Sequence, residues 1–579
     1  MSSILRVNMA QGTATLEPVP RRWQNLGGRS LTSTIVAEEV PPDCHPLGPN
    51  NKLVIAPGIV TGTRAPTSGR LSVGGKSPLT GGIKEANAGG LAPHKLAHLG
   101  IKAIIVEGQP KPGQWSMLQV NKSGAELLPA KDLAGKGMYE TDELLWKRYG
   151  KKVAVMGIGP AGEMKMTMAG ISVNDMENGP GRYAGRGGLG AVMGAKGLKA
   201  IVVDDTGTRT LRPKDAALFD NGAKALTEAL RTHPVTSQAL PTYGTAVLIN
   251  VMNEAGGLPT RNFSSGRFEG AAKVSGEVIN ELVTKTRKGE GRVGHPCHPG
   301  CVIQCSNIFP DEQGKKLVAC LEYESDWALG PNCGIDDIDA IAEMVRLCND
   351  IGLDTIEAGV AIGVAMEGGL LKFGDAKGAI KLMHEIEKGT PVGRILGQGA
   401  AFTGRAFGVT RVPVVKGQAM PAYEPRAVKG IGVTYATSTM GADHTSGYTI
   451  APEILSVGGK ADPFSVRKAE LSRAFQATTA FIDSSGYCLF IAFAILDKPE
   501  GFQGMIDTVN GMLGAKYDAK GVMDYGLKVL KLERKFNAGA GFTKAHDRLP
   551  EFMKLEKLPP HNTVWDVPDE ELDLVHAGA

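Results

Sequence analysis

The chain has 579 residues, 42% apolar and 21% charged, with a formal net charge of +4. That length exceeds what one hydrophobic core supports, so two to four domains are expected. The small charge, with no basic block interleaved with aromatics, argues against a nucleic-acid partner. The longest apolar run, Tyr487–Leu496, falls far short of the roughly 20 residues of a membrane helix.

The first residues, MSSILRVNMAQGTATLEP, alternate as strands do and lack the charged and apolar regions of an export signal. A cytoplasmic protein is expected. Val/Ile-rich runs bounded by Gly or Pro follow at Lys52–Ala56, Ala103–Val106, Lys152–Met156 and Ala200–Val203, so the first two hundred residues read as β-rich. The loops Thr61–Arg70 and Glu85–Gly90 carry hydroxyls, an arginine and glycines. They suit anionic phosphate and an ordered cation, and equally suit plain strand connections. Twelve glycines lie between Lys151 and Ala200, where backbone can approach a ligand closely. The run Asn178–Gly190 contains Gly185-x-Gly187-x-x-Gly190, formally a dinucleotide fingerprint. The residues before it do not read as the buried strand that fingerprint requires, and Arg182 and Arg186 among bare amides fit phosphate binding better. No internal repeat is read.

Beyond Asp204–Pro213 the patterns become helical. Cys297-His-Pro-Gly-Cys301-Val-Ile-Gln-Cys305 crowds three thiols too closely for ordinary disulfides. They can converge on an iron–sulfur cubane with a fourth ligand from elsewhere, or on zinc with His295 or His298. Ile335, Ile338, Ile341, Val345 and Cys348 predict a helix closed by Gly352, leaving Asn349–Asp354 at its end. A Pro-rich basic stretch at Pro413–Lys429 separates two helical lobes. A helix is predicted over Pro463–Ala480, closing before Asp483-Ser-Ser-Gly486-Tyr487-Cys488. Asp483 can accept hydrogen bonds from a heterocycle, Gly486 allows close approach, and Cys488 can reach a metal. Two such helix ends in one chain suggest paired ligand seats. The domains expected are 1–207, 208–415 and 416–579.

Seven segments in order resemble the aldehyde:ferredoxin oxidoreductases, tungsten bis-pterin enzymes: TGTRAPTSGR, KSPLTGGIKEANAGG, AGRGGLGAVMGAKGLKAI, EYESDWALGPNCGIDD, NDIGLDTIEAG, GADHTSG and DSSGYC. The resemblance covers essentially the whole chain. It implies an α+β fold, with an N-terminal β-sheet cofactor-binding base domain followed by two mainly α-helical domains. It implies a tungsten (or molybdenum) bis-pterin centre, a bridging Mg2+ and a 4Fe-4S cluster. The pterin motifs would be Asn349, Gly352, Leu353 and Asp354, and Asp483, Gly486 and Tyr487. Arg70, Asn87, Gly89, Arg182 and Tyr183, with Arg186 and Gly187 in the same loop, match positions near the phosphates and magnesium. Cys297, Cys301, Cys305 and Cys488 match the cluster ligands.

The implied reaction oxidises an aldehyde to a carboxylate. Glu324 matches the group that takes a proton from water, and His444 the group that donates to the carbonyl oxygen. Ferredoxin, or iron–sulfur or flavin subunits of an oligomer, would accept the electrons. Two departures stand out: one more residue separates Cys297 from Cys301 than in the family's C-x2-C, and Asn349 stands where aspartate is expected. Cys333 lies where a metal ligand would favour a benzoyl-CoA-reductase-like subunit. An iron–sulfur electron carrier without catalysis is the alternative from another class.

Overall fold

The computed structural model describes residues 2–177 and 179–578. Its first part is built from two six-stranded sheets. The first holds β1 (Ser3–Asn8), β2 (Thr13–Pro18), β3 (Leu53–Pro57), β4 (Leu71–Lys76), β5 (Ile83–Ala88) and β6 (Ile101–Glu107). The second holds β7 (Ser116–Asn121), β8 (Gly124–Pro129), β9 (Ala154–Gly157), β10 (Ile171–Asn174), β11 (Pro180–Ala184) and β12 (Leu198–Val203).

The strand orders, β2-β1-β6-β3-β4-β5 and β8-β7-β12-β9-β10-β11, are the same topology used twice. Each has one parallel pair, β1 with β6 and β7 with β12, among antiparallel neighbours. Each places a helix after its first hairpin, α1 (Gly28–Glu39) and α2 (Met138–Tyr149). This overturns the reading of no internal repeat. The signal was present in Gly100-IKAIIVE and Gly197-LKAIVVD, which both form the last strand of their sheets. It is short because only the doubly buried strand keeps its composition while the loops diverge.

The inner strands are apolar on both faces because both faces are covered, while β2 and β8 at the sheet edges are exposed or half-buried. Leu5, Leu53, Ile55 and Ile104 of the first sheet share one core with Leu118, Met156, Ile171 and Ile201 of the second. On the outer faces, Val54, Ala56 and Ile105 pack against Leu31, Ile35 and Val36 of α1. Val155, Ala200 and Val202 pack against Leu145 of α2.

From Ala216 onward helices dominate, as expected. They are interrupted by a three-stranded sheet, Arg292–His295, Ser306–Pro310 and Lys316–Ala319, that the sequence reading did not contain. The cysteine run is the loop joining its first two strands. The predicted helix before Gly352 spans Ile338–Ile351 and ends there at φ +85°. The second predicted helix runs Ala469–Ser485, not Pro463–Ala480. It starts later because residues 463–468 form a turn held partly by Lys468 Nζ on the Asp462 carbonyl (2.6 Å). It carries Asp483 within its last turn because the left-handed terminator is Gly486, at φ +91°. A strand does precede the Gly185–Gly190 fingerprint, but β11 is the antiparallel edge of its sheet, so no parallel crossover unit forms. Among the described residues no helix is long and apolar enough to cross a membrane.

Gly58, just after β3, meets the turn at Gly486 backbone to backbone, and a Cβ there would overlap Gly486. Gly58→Ala is expected to destabilise at the upper end of about 1–3 kcal/mol, as overpacking does, and to lower the melting temperature by several degrees. Gly459→Ala, at φ +101° with open space around it, carries only the backbone strain of about 1 kcal/mol. Equal melting temperatures for the two variants would refute the close docking.

Candidate active site

Both helix-ending turns are seated on the double sheet. Gly170 N–H donates to the Gly352 carbonyl (3.0 Å) and Asp354 N–H to that of Met168 (3.0 Å). A Cβ at Gly352 would lie 2.9 Å from Gly159 N. In the other half Arg70 N–H donates to the Gly486 carbonyl (3.2 Å), Ile59 N–H to that of Ser484 (3.1 Å) and Cys488 N–H to that of Thr67 (3.0 Å). The N-terminal turns of the outer helices take part in matching ways: Ser30 N–H donates to Ser484 Oγ (3.0 Å) and Tyr139 N–H to Asp350 Oδ1 (3.1 Å). Repeated topology thus yields two related seats facing one space.

That space is a cavity of about 380 Å³. It is lined by Arg70, Asn87, Gly89, Arg182, Tyr183, Arg186, Asn349, Leu353, Asp354, Asp483, Cys297, Cys305, Cys488, Glu324 and His444, all singled out in the sequence. Cys301, Gly187, Gly352, Gly486 and Tyr487 do not line it. Gly187, at φ +85°, lets Lys84 pass; Gly352 and Gly486 turn the chain; the Tyr487 hydroxyl is 2.6 Å from Thr508 Oγ1 in a neighbouring helix.

The sequence reading missed Arg29, Lys84, Tyr423, Asp443 and Tyr448. Lys84 and Asp443 neighbour residues already named, which was a usable signal. Arg29 had none, because its role depends on partners about five hundred positions away. Its guanidinium forks onto Glu533 (2.9 and 2.9 Å) and reaches Asp483 Oδ2 (3.3 Å). Burial would push the Glu533 carboxyl up, but Arg29 outweighs it and holds it below its ordinary value.

Several polar atoms at the cavity are buried without a partner: Arg70 Nε, Arg182 Nε, Asn87 Nδ2, Glu85 Oε1, Glu324 Oε1 and His444 Nδ1. Such orphans are costly unless a ligand meets them. The arginines divide. Arg70 Nη2 lies 3.2 Å from Cys488 Sγ, and Arg182 donates to Ser306 Oγ (2.7 Å). Arg186 is spent on the protein, donating to Asp354 Oδ2 (3.2 Å) and to the carbonyls of Ala442 (2.8 Å) and Ala419 (2.5 Å). Three of its five donors thus brace the loop before His444.

Cys297, Cys305 and Cys488 share the cavity wall. A hydrogen bond from the Cys301 thiol holds the Cys297 thiol well below its ordinary value. Burial pushes Cys305 well above its own. Cys297, His298 and Cys301 also bring their ligand atoms within 4.8 Å of one another. His298 is buried with Nδ1 2.9 Å from the Pro299 carbonyl and Nε2 unpartnered. Cys333 is elsewhere: its thiol faces the carbonyls of Ala328 and Gly359 (3.4 Å each) between helices.

Glu324 stands in the helix Tyr323–Leu329, where Ala422 N–H donates to its Oε2 (3.0 Å). Its Oε1 lies 3.4 Å from His444 Nε2. Burial pushes Glu324 up to about 8 and His444 down to about 4. Both are therefore neutral at pH 7. Asp443 is different: burial would raise it, but Lys84 (3.3 Å) and Arg186 (3.9 Å) hold it ionised.

The family model for the aldehyde ferredoxin oxidoreductase N-terminal domain matches residues 4–205, and that for domains 2 and 3 matches residues 221–574. The tungsten-containing aldehyde ferredoxin oxidoreductases of Pyrococcus horikoshii and Pyrococcus furiosus are 37% and 36% identical to this chain, over 96% of it and 92% and 91% of their own lengths. A WOR-like subunit of aliphatic sulfonate oxidoreductase from Pyrococcus furiosus is 26% identical, over 88% of this chain and 81% of its own. The active-site complex of a benzoyl-coenzyme A reductase shares the fold, with a TM-score of 0.80 at 19% identity over 99% of this chain and 93% of that one. With both family models in order across the double sheet and the helical remainder, the chain belongs to the aldehyde ferredoxin oxidoreductase family.

Proposed function

We propose that this chain oxidises aldehydes to carboxylates at a tungsten (or molybdenum) bis-pterin centre, with electrons leaving through a 4Fe-4S cluster. The observation that carries the reading is the cavity between two matching seats, lined by unpartnered arginine, asparagine and carboxylate atoms. Those residues fit the group. Asp483 and Asn349 would accept from pterin N–H groups. Arg70, Arg182 and Asn87 would meet its phosphates and a magnesium ion. Cys297, Cys301, Cys305 and Cys488 would hold the cluster beside it. When bound, the metal–pterin group supplies the acceptor for the two electrons of the oxidation. A carrier holding only a cluster has no use for the Glu324–His444 wall. With Cys333 turned away from the cavity, nothing in its geometry favours the ring-reducing branch. Ferredoxin or iron–sulfur or flavin subunits would take the electrons, and the eight unpaired cysteines fit a cytoplasmic setting.

Aldehyde and water become carboxylic acid, two protons and two electrons. The neutral forms of the pair favour the reverse of the roles assigned by resemblance. Protonated Glu324 donates to the carbonyl oxygen, and His444, already neutral, takes the proton of the attacking water. Burial supports this because the charged alternative, Glu324 carboxylate with His444 imidazolium, is poorly solvated there.

Glu324→Ala and His444→Ala, each loaded with metal to the wild-type level, should lose about 10²- to 10⁴-fold in kcat; near-normal turnover in both would end the assignment. With Glu324 as the acid, kcat/KM should hold through neutral pH and fall above about pH 8, as its proton is lost. Glu324→Gln, which keeps a donor, should remove that alkaline fall. A rise through the same pH would restore Glu324 as the base.

Mass spectrometry of anaerobically purified protein should find about one tungsten and four irons per chain. Cys488→Ser should lose iron and His298→Ala should keep it. Zinc that disappears with His298→Ala would replace the cluster with a zinc site.

A further inference from the structure

Glu322 lines the reaction cavity and takes no part in the proton transfers above. It is the N-cap residue of the helix Tyr323–Leu329 that carries Glu324, yet its side chain makes no cap hydrogen bond. The Thr245 hydroxyl stands in for it, accepting from Tyr323 N–H (2.9 Å). Freed from the helix, the Glu322 carboxylate meets three donors. Its Oε2 accepts from Thr245 Oγ1 (2.7 Å), while Oε1 accepts from Ser306 Oγ (2.9 Å) and Arg182 Nη1 (3.5 Å). Ser306 Oγ itself accepts from Arg182 Nη2 (2.7 Å). Two hydroxyls and a guanidinium, all donating, suit a carboxylate in its charged form.

That carboxylate stands between a residue read as a phosphate ligand and one read as a cluster ligand. On one side it steadies Arg182, directly and through Ser306, and Arg182 Nε is buried without a partner, a donor left for an anion. On the other side Ser306 directly follows Cys305, so the hydroxyl that Glu322 holds belongs to the neighbour of a cluster thiol. Burial first and Glu322 second push the Cys305 thiol up, so the carboxylate's charge is felt at that sulfur. Reduction of a cluster held there adds one more negative charge. A fixed carboxylate opposes that step, and cluster potentials follow the net charge around them.

We propose that Glu322 is a positioning residue that lowers the reduction potential of the cluster at Cys305 while anchoring Arg182 for a pterin phosphate. The inference rests on the bis-pterin and cluster reading above and adds the wall residue that tunes it. Electrons enter the cluster one at a time. The Glu322 charge disfavours the reduced form, which makes that form the stronger donor to the next carrier.

The test is a potentiometric titration of the anaerobically purified holoenzyme, following the electron paramagnetic resonance signal of the reduced cluster. Iron and pterin contents are measured on the same samples. Glu322→Gln keeps the shape of the side chain and removes its charge. It should ease cluster reduction on the order of tenfold, a shift of about 59 mV to higher potential for a one-electron couple, at unchanged iron content. Glu322→Asp keeps the charge and should titrate nearer to the wild type than to Glu322→Gln. Glu322→Ala should also lose pterin, because Arg182 loses its anchor, and full pterin content there overturns the anchoring. A potential that Glu322→Gln leaves unmoved, or that Glu322→Asp moves as far, overturns the tuning while the signal itself leaves the cluster standing. A wild-type protein without that signal overturns the cluster reading, and the inference with it.

Discussion

The site depends on backbone meeting backbone without side chains between. Gly58 against Gly486 and Gly159 against Gly352 bring two helix ends down onto the double sheet. Everything placed at the cavity by those turns, from Asp483 and Cys488 on one side to Asn349 and Asp354 on the other, inherits its position from these contacts. The left-handed glycines terminate the helices and the ordinary ones make room for them. The hydrogen bonds across the junction then run between main-chain atoms, Gly170 to Gly352 and Arg70 to Gly486. Main-chain bonding leaves the side chains of the turns free to face the cavity.

Burial then sets the electrostatics. Cations and carboxylates at the cavity divide into those matched by the protein and those left open. Arg186 is satisfied by Asp354 and two carbonyls, and Arg29 by Glu533 and Asp483. Both act as braces that tie the base to the helical part. Arg70 and Arg182 keep Nε atoms without partners, and so do Glu85 and Asn87 keep open polar atoms. A buried orphan is tolerated when something else satisfies it. Lys84 and Arg186 keep Asp443 charged against its burial, whereas burial pushes Glu324 and His444 toward their neutral forms, outweighing Arg186 for the one and Asp443, 3.9 Å from Nδ1, for the other. One wall thus holds a charged carboxylate beside an acid and an imidazole that burial pushes toward neutrality.

Much of this was legible in the sequence because it is carried by local rules. Gly-terminated helices announced both turns, the tight cysteine spacing announced thiols gathered at one place, and the Val/Ile runs announced the strands. Arg29 was illegible for a physical reason: its meaning comes from Glu533, brought to it only by tertiary packing. The bracing bonds of Arg186 were illegible because sequence shows that an arginine sits in a loop, not which of its donors the protein takes. The repeat was overlooked because its clearest trace is one short strand, while its real content is topology. The helix starting at Ala469 rather than Pro463 was a boundary error of the usual kind, a turn mistaken for a first helical turn.

The repeat also explains the asparagine at position 349. Arg29 and Tyr139 are the second residues of the two equivalent outer helices, α1 and α2. On the first side Arg29 reaches Asp483 Oδ2 (3.3 Å), yet burial and Glu85 outweigh it and push that carboxyl well above its ordinary value. On the second side the equivalent position presents a tyrosine, whose hydroxyl meets the Asn349 side chain. An aspartate there would be a second buried carboxyl at the cavity, and burial disfavours its charged form. The amide keeps an acceptor for a ring N–H without that charge. Duplicated topology thus carries unequal side chains at its two seats, Arg29 with Asp483 on one and Tyr139 with Asn349 on the other.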